Sequence, residues 1–456
     1  MTTNAAPPLS VPRGAALYIG ALLGPGVLLL PGLAASIAGP AAILAWAGLL
    51  GVSALFAVVF TALGTRYPGE GGVSAYTAAG LGPRAGHAAG WCFLLGVVAG
   101  APVVCLIGGS YVASLAGGGP AVATAVAAGL LLAVLGLSLA GMRASTAVQM
   151  VLVTLLVAVV VAAVAGSAPS GQVANFHPFA PHGWAAVGKA AAVIMLSFVG
   201  WEAVAPLTAR FGNARRRLPR VVAIAFGVTA ALYLILATEI TAVLGPAGGS
   251  VPLADLLAVA IGPSGRAVAA AAAVLLTLGT TNAYLSGAAV MARSLSTRPG
   301  NQDSAGAGGR SSRGLLIAIA GAGLLIIAAQ SAHLVSTAEL VTIPTALFLA
   351  VYVGCTASAS RGLTGGSRAA GVAALAAVLT VLAFSGWAAA VAVLAAGVAA
   401  ACYRHRQDAA APSQPTATVR PIGAARRHRA LAHPRRAARR HATRPDPDRR
   451  SAHRAA

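Results

Sequence analysis

The chain has 456 residues, of which 58% are hydrophobic and only 9% are charged. Apolar tracts of this extent exclude an ordinary soluble domain and are typical of membrane-spanning helices. The formal net charge is +22, and about half of that excess comes from residues 404–456, which hold 14 of the 31 Lys and Arg and three acids.

Twelve apolar segments, each near the length of about 20 residues that a bilayer requires, predict twelve transmembrane helices. Residues 1–12 lack the basic region and cleavage site of a signal peptide, so we expect the first span to be retained as a signal anchor. The predicted spans are residues 14–37, 41–63, 88–115, 121–140, 146–166, 185–208, 221–244, 267–292, 314–332, 335–357, 369–384 and 387–403.

The first span is interrupted at Gly24-Pro25-Gly26. Proline has no N–H to donate and glycine weakens a helix, and hydrocarbon tolerates a broken backbone only where it lines an enclosed cavity. The N–H groups that start the next half-helix would attract a carboxylate. A second interruption in the sixth span has Gly200 at its centre, followed by Pro206. Either break alone would indicate a kink at a packing contact, but the pair indicates the binding site of a transporter.

Arginine placement predicts the orientation of the chain. With a cytoplasmic N-terminus, the inner segments before the tail contain fifteen arginines, while the outer side has only Lys189 and Arg266. This positive-inside bias predicts that both termini are cytoplasmic in a multi-pass protein of the cell membrane. The tail, residues 404–456, cannot bury a core and is predicted to be disordered, in contact with membrane lipids and without a specific nucleic-acid partner.

Four short motifs occur in order along the chain, with twelve spans around them. They are Gly24-Pro-Gly-Val-Leu-Leu-Leu-Pro31, Arg66-Tyr-Pro-Gly-Glu-Gly-Gly-Val73, Phe198-Val-Gly-Trp-Glu-Ala203 and Gly212-Asn-Ala-Arg-Arg-Arg-Leu-Pro-Arg220. With these motifs the chain resembles the amino acid–polyamine–organocation (APC) superfamily over roughly residues 10–400. It looks most similar to the bacterial branch of methionine and branched-chain amino acid exporters.

The resemblance implies an all-α membrane fold of twelve helices. It would be a LeuT-type 5+5 inverted repeat in which helices 1 and 6 are broken. The first repeat would span about residues 14–166, the second about 185–357, and the two extra helices about 369–403, so that the transporter domain is 14–403.

The resemblance also implies a substrate site at the two breaks. Backbone amides of the first break would hold the substrate carboxylate, carbonyls of the second would hold its α-amino group, and Phe198 and Trp201 could act as gates or simply pack. Carried onto this chain, the first set is Gly24, Pro25, Gly26 and Val27, and the second is Ser197, Phe198, Val199 and Gly200.

Two positions depart from the family pattern. Relatives usually carry Ser or Thr at the position of Pro25, so carboxylate capture here would fall to Gly26 and Val27. Many relatives carry an acid at the position of Arg210.

Glu202 is an ionisable residue in the sixth span, directly after the break. Such a residue in a membrane is a functional hypothesis by default, so Glu202 is a candidate for coupling to protons, or alternatively an acid that hydrogen-bonds the broken backbone. In the eighth span Asn282 is a second coupling candidate, and the nearby threonines are interpreted as interhelical hydrogen-bonding groups.

The chain contains no hydrolytic triad, phosphate-binding loop or metal-ligand spacing, so we expect no enzyme activity, no metal and no cofactor. The predicted function is secondary transport of small neutral or hydrophobic amino acids by alternating access. The closest resemblance favours export, although the sequence leaves the direction open. The alternative is a non-transporting ligand sensor built on a transporter fold, which only the basic tail favours.

Overall fold

The structure is a computed structural model that describes residues 9–24, 26–68, 71–140, 146–205, 208, 211, 213–245, 249–296 and 308–410. Within those ranges the chain forms α-helices joined by short turns of 3₁₀ helix, and no strand occurs. Pro25, Glu70, Pro206, Arg210 and most of the predicted tail lie outside the described residues.

Sixteen helices are described, and most of the predicted spans correspond to one of them. They are α1 (Val11–Leu23), α2 (Gly26–Ala38), α3 (Ala42–Arg66), α4 (Gly72–Leu81), α5 (Pro83–Ala116), α6 (Pro120–Leu139), α7 (Thr146–Ser167), α8 (Ala185–Ile194), α9 (Trp201–Val204), α10 (Ala214–Leu244), α11 (Pro252–Ile261), α12 (Ser264–Ser296), α13 (Gly308–Ser331), α14 (Thr337–Gly362), α15 (Gly365–Ala383) and α16 (Trp387–Ala410).

Nine helical stretches of the described chain are long and apolar enough to cross a membrane. The first of them, Val11–Arg66, contains two of the predicted spans. Two further predicted spans correspond to the shorter apolar helices Ala185–Phe198 and Leu316–Ser331. The fold is therefore an all-α membrane fold.

Two of the membrane-spanning segments are broken near their middles. The first consists of α1 and α2, separated at Gly24, and the second of α8, a 3₁₀ turn (Met195–Phe198) and α9. Helix α2, the second half of the first segment, packs on α8, the first half of the second segment. Helix α1, the first half of the first segment, packs on α9, the second half of the second segment. The two broken segments therefore run antiparallel to each other, as an inverted repeat requires.

Long unbroken helices surround the two broken segments. Helix α5 has 34 residues and contains Pro102, and α12 packs along it. Helix α10 packs on both α1 and α2, and α14 packs on α5 and α15. The last helix, α16, continues to Ala410, through the first seven residues of the segment predicted as a tail.

Candidate functional site

The two breaks lie against each other in the structure. A Cβ placed on Gly26 would lie 3.0 Å from Ser197 Oγ, and one placed on Gly200 would lie 2.6 Å from the Ala21 carbonyl oxygen. Gly200 therefore packs directly on the backbone of α1, and Gly26 packs on the turn that interrupts the sixth span. The sequence placed these residues in two separate segments, and the fold brings them into one site.

Glycine allows each break to form. Gly24 has φ +28° and Gly200 has φ +152°, which are backbone conformations that other L-residues rarely adopt. The Gly24 N–H still donates to the Gly20 carbonyl at 3.3 Å, so α1 ends there and α2 begins anew at Gly26. The first N–H groups of a new helix have no acceptor within that helix, and they carry the positive end of its dipole. The start of α2 can therefore receive a carboxylate.

A cavity of about 60 Å³ lies between the two breaks and the neighbouring helices. One buried water needs about 10–15 Å³, so this space holds several waters or a small solute. Its wall is mostly apolar, and none of the described residues that line it is charged. The lining residues are Ala21, Leu22, Gly24, Gly26, Gly96, Val97, Gly100, Ala101, Val104, Ile107, Leu196, Ser197, Val199, Thr280, Thr281, Tyr284 and Phe348.

The predicted binding residues fall into two groups. Gly24, Gly26, Ser197 and Val199 line the cavity. The others that are described, Val27, Phe198, Gly200 and Trp201, lie outside its lining, in the buried packing around the two breaks. Pro25 lies outside the described residues.

Two tyrosines hold the carbonyl groups of the breaks, and neither was identified from the sequence. The Tyr233 hydroxyl of α10 lies 2.9 Å from the Leu22 carbonyl oxygen and 3.3 Å from those of Leu23 and Ser197. The Tyr352 hydroxyl of α14 lies 3.3 Å from the Phe198 carbonyl oxygen. The predicted amino-binding carbonyl of Ser197 thus faces the Tyr233 hydroxyl. The Phe198 carbonyl lies beside the Tyr352 hydroxyl, whose shorter hydrogen bond, at 2.6 Å, is to Glu202 Oε2. In the sequence, the only indication of either residue was the presence of a tyrosine within an otherwise apolar span.

Tyr233 is placed to connect the two breaks. Its hydroxyl reaches carbonyls of both, while its ring stacks on Trp46 with centroids 4.8 Å apart and contacts Phe198 at 5.6 Å. We expect Tyr233→Phe to retain the ring packing but leave buried carbonyls without a donor, at a cost of about 1–3 kcal/mol. The expected result is a lower melting temperature of the purified protein and slower substrate exchange.

The matched control is Thr238→Val on the same helix. The Thr238 hydroxyl donates to the Leu234 carbonyl at 2.8 Å, within α10, so its loss leaves the breaks unchanged. Tyr233→Phe with the melting temperature and exchange rate of the control would contradict this role.

Glu202 is buried beside the second break, with only 1% of its surface exposed. Its Oε2 accepts hydrogen bonds from the Gly200 N–H at 2.9 Å and from the Tyr352 hydroxyl at 2.6 Å. Its Oε1 has no hydrogen-bond partner among the described residues. The carboxyl group thus connects the second break to α14 through one of its two oxygens.

Some of the polar residues of the eighth span line the cavity, and others contact neighbouring helices. Thr280 and Thr281 line the cavity, whereas Thr277 donates to the Val104 carbonyl of α5 at 3.4 Å. Asn282 accepts a hydrogen bond from Ser138 of α6 at 3.1 Å and is not among the cavity residues. The threonine hydroxyls next to the cavity are thus better placed to contact a solute than Asn282.

The two sides of the cavity differ. A second cavity of about 710 Å³ lies on the α2 side and is lined by residues that include Leu33 and Ser114. Ile107 lines this second cavity as well as the first. On the other side, Tyr18 packs on Trp201 with ring centroids 5.9 Å apart, and Arg217 donates to the Leu9 carbonyl at 3.2 Å. The site is therefore closer to an open space on the α2 side than on the α1 side.

No group of three or more His, Cys, Asp or Glu side chains that could hold a metal ion occurs in the described part of the chain. The four cysteines are free, and Cys92, Cys105 and Cys355 are buried among apolar residues. The chemistry available at the site is therefore that of backbone groups, hydroxyls and one carboxyl group.

Comparison with solved structures supports the same architecture. The crystal structure of MhsT in complex with L-phenylalanine superposes with a TM-score of 0.60 at 16% sequence identity, over 87% of this chain and all of that one. The fold is thus of the LeuT type, an all-α membrane fold, as the resemblance to the APC superfamily implied.

Comparison of sequences identifies the family. The chain is 33% identical over 224 residues to an uncharacterized amino acid permease, YecA, of Bacillus subtilis, covering 49% of this chain and 53% of that protein. It is 32% identical over 229 residues to the L-methionine/branched-chain amino acid exporter YjeH of Escherichia coli, covering 49% and 54%. The chain therefore spans about half the length of the curated relatives it matches.

A profile of the amino acid permease family matches residues 9–299, which include both breaks, Glu202 and Tyr233. The matched region also contains all four motifs that carried the resemblance. The chain therefore belongs to the amino acid permease family within the APC superfamily.

Proposed function

We propose that this protein is a secondary transporter of neutral amino acids that works by alternating access. The observation that carries the proposal is the cavity between two abutting helix breaks, whose lining contains no charged residue within the described part of the chain. The free N–H groups at the start of α2 would bind the substrate carboxylate. Carbonyl oxygens of the second break, whose second lone pairs remain available, would accept from its ammonium group.

The apolar wall favours a neutral substrate. A cationic side chain in this cavity would lack a carboxylate partner within the lining, and an unpaired buried charge is strongly unfavourable. The substrate would therefore be a small neutral or hydrophobic amino acid. The named activity of the Escherichia coli relative, export of methionine and branched-chain amino acids, supports the same class and favours export.

We propose that the protein lies in the cell membrane with both termini in the cytoplasm. The arginine distribution supports this orientation. The large cavity beyond Ile107 would then open to the outside, and the contacts of Tyr18 and Arg217 would close the cytoplasmic side. In this conformation the site is nearer the outer solution, and export would require the α1 side to open.

Counterflow in proteoliposomes tests the transport function. Vesicles loaded with an unlabelled amino acid should accumulate the same labelled amino acid from outside. We expect alanine, valine, leucine or methionine to be exchanged, and arginine to be excluded. Binding of these amino acids without exchange would instead support the sensor alternative.

Glu202 is proposed as the proton-coupling group. Glu202→Gln keeps an oxygen that can accept from Gly200 and Tyr352, and its amide nitrogen replaces Oε1, which has no partner among the described residues. The variant should therefore fold and exchange substrate but lose the response to a pH gradient, because the amide does not titrate. The measurement is net uptake with and without an imposed gradient, beside counterflow at equal pH.

The matched control is Glu239→Gln. Glu239 accepts from the Ser167 hydroxyl at 2.7 Å, at the end of α10 away from the breaks, so its substitution should leave the pH response intact. If Glu202→Gln responds to the gradient as the wild type does, the acid has only a structural role.

A further inference from the structure

Helix α5 contributes two glycines, one turn apart, to the wall of the cavity. Gly96 and Gly100 lie four residues apart and both line it, together with Val97, Ala101 and Val104. Glycine weakens the interior of a helix relative to alanine, so its presence at these positions needs a reason.

Packing explains the first glycine but not the second. A Cβ on Gly96 would lie 3.0 to 3.2 Å from three ring atoms of Phe348, so a side chain there would displace that ring. Among the described residues, a Cβ on Gly100 would meet only the Pro344 Cβ, at 3.6 Å, which is an ordinary van der Waals contact. The fold therefore has room for a methyl group at position 100, and that room belongs to the cavity.

The same cavity contains two buried hydroxyls that form no hydrogen bond of normal geometry with the described residues. The Ser197 and Thr281 hydroxyls are 2% and 1% exposed, line the cavity, and make no hydrogen bond of normal geometry with the described residues. The Tyr233 hydroxyl lies close to the Ser197 hydroxyl, and the Cys105 thiol lies close to the Thr281 hydroxyl. Buried hydroxyls are rarely left unsatisfied, so these two indicate that a polar solute completes the site.

The cavity thus has a polar part and an apolar part. The polar part is formed by the helix breaks and the two hydroxyls. The apolar part is formed by α5 and by the adjacent rings of Tyr284 and Phe348, whose centroids are 6.2 Å apart. An amino acid bound by its carboxylate and ammonium groups at the breaks would direct its side chain into the apolar part.

We propose that Gly100 is a specificity-determining residue: the part of the cavity next to its Cα limits the size of the aliphatic substrate side chain that the cavity accepts. This inference rests on the proposed transport function. Because Gly100 is not required by packing, filling its space removes room for substrate before it disturbs the fold.

The test is a series at this position, Gly100→Ala and Gly100→Val, measured by counterflow of alanine, valine, leucine and methionine. One methylene in an apolar pocket changes discrimination by roughly 10- to 200-fold. We therefore expect the rate for the largest substrate, relative to that for alanine, to fall about tenfold or more in Gly100→Ala, and further in Gly100→Val. Alanine counterflow should persist in Gly100→Ala.

Gly129→Ala is the matched control, since a Cβ on that glycine of α6 would have no heavy atom within 4 Å. It should leave the ranking of substrates unchanged. The alternative is that Gly100 serves only to relieve the helix backbone next to Pro102. In that case the counterflow rates of all substrates would fall by one common factor, and the proposal would be overturned. Should Gly100→Val not be recovered as folded protein, Gly100→Ala alone decides between these outcomes.

A wild-type protein that exchanges none of the four amino acids would instead overturn the transport function, and the size selection with it. The two failures are thus distinguishable, because only the second is visible without any variant.

Discussion

Gly26→Leu is expected to reduce amino acid counterflow to the background of empty vesicles. A side chain at this position would start 3.0 Å from Ser197 Oγ and 3.2 Å from Leu30 Cδ1, and a leucine would extend into the cavity. It would fill the space that the substrate carboxylate needs beside the first N–H groups of α2. The variant should still insert into the membrane, because the substitution makes the first span more apolar.

Gly48→Leu provides the matched control for this substitution. Gly48 lies on the exposed side of α3, and a Cβ there would have no heavy atom within 4 Å. The control should exchange substrate at the wild-type rate when the amount of reconstituted protein is equal. If Gly26→Leu also exchanges at that rate, the substrate does not bind at the first break.

Gly200→Ala is expected to destabilise the protein as well as inactivate it. The backbone at Gly200 has φ +152°, and a Cβ would lie 2.6 and 2.8 Å from the carbonyl oxygen and carbon of Ala21. A strained backbone conformation alone costs about 1–3 kcal/mol, and the contact with main-chain atoms would in addition force the two breaks apart. The melting temperature in detergent and the counterflow rate should both fall.

Gly227→Ala on α10 is the corresponding control, because a Cβ at this helical glycine has no neighbour within 4 Å. Alanine favours helix more than glycine does, so this control should be unchanged or slightly more stable. If the Gly200→Ala protein has the same melting temperature as the wild type, the two breaks do not pack as closely as described.

The sequence predicted the spans well because length and apolar composition alone determine which segments can cross a bilayer. The breaks were also predictable, since Gly24 and Gly200 interrupt otherwise continuous apolar segments. The occurrence of the two breaks as a pair predicted that they form one site, but the atoms through which they contact each other could not be predicted. Helix α11, which has 10 residues and lies between two long spans, was not predicted because it is too short to register as a span.

The wall of the site could not be predicted in the same way. Nearly every position in these helices is apolar, so periodicity does not distinguish the face of α5 that carries Gly96 and Gly100 from the faces that contact other helices or lipid. Tyr233 and Tyr352 were missed for the same reason: each adds one polar atom to an apolar helix. Their partners, which are main-chain carbonyls and, for Tyr352, also Glu202 Oε2, lie far away in sequence. Glu202 was identified because a carboxylate in hydrocarbon is rare.

The length of α5 makes the site sensitive to the thickness of the surrounding bilayer. Its 34 residues span about 51 Å at about 1.5 Å per residue, against a hydrocarbon core of about 30 Å. A helix of this length must lie inclined, or extend its ends into the headgroup regions. The preferred tilt angle of α5 therefore depends on the length of the lipid acyl chains. The position of the cavity wall that contains Gly96 and Gly100 depends on that angle. Substrate preference measured in one lipid is thus expected to shift with acyl-chain length, without any change in the protein.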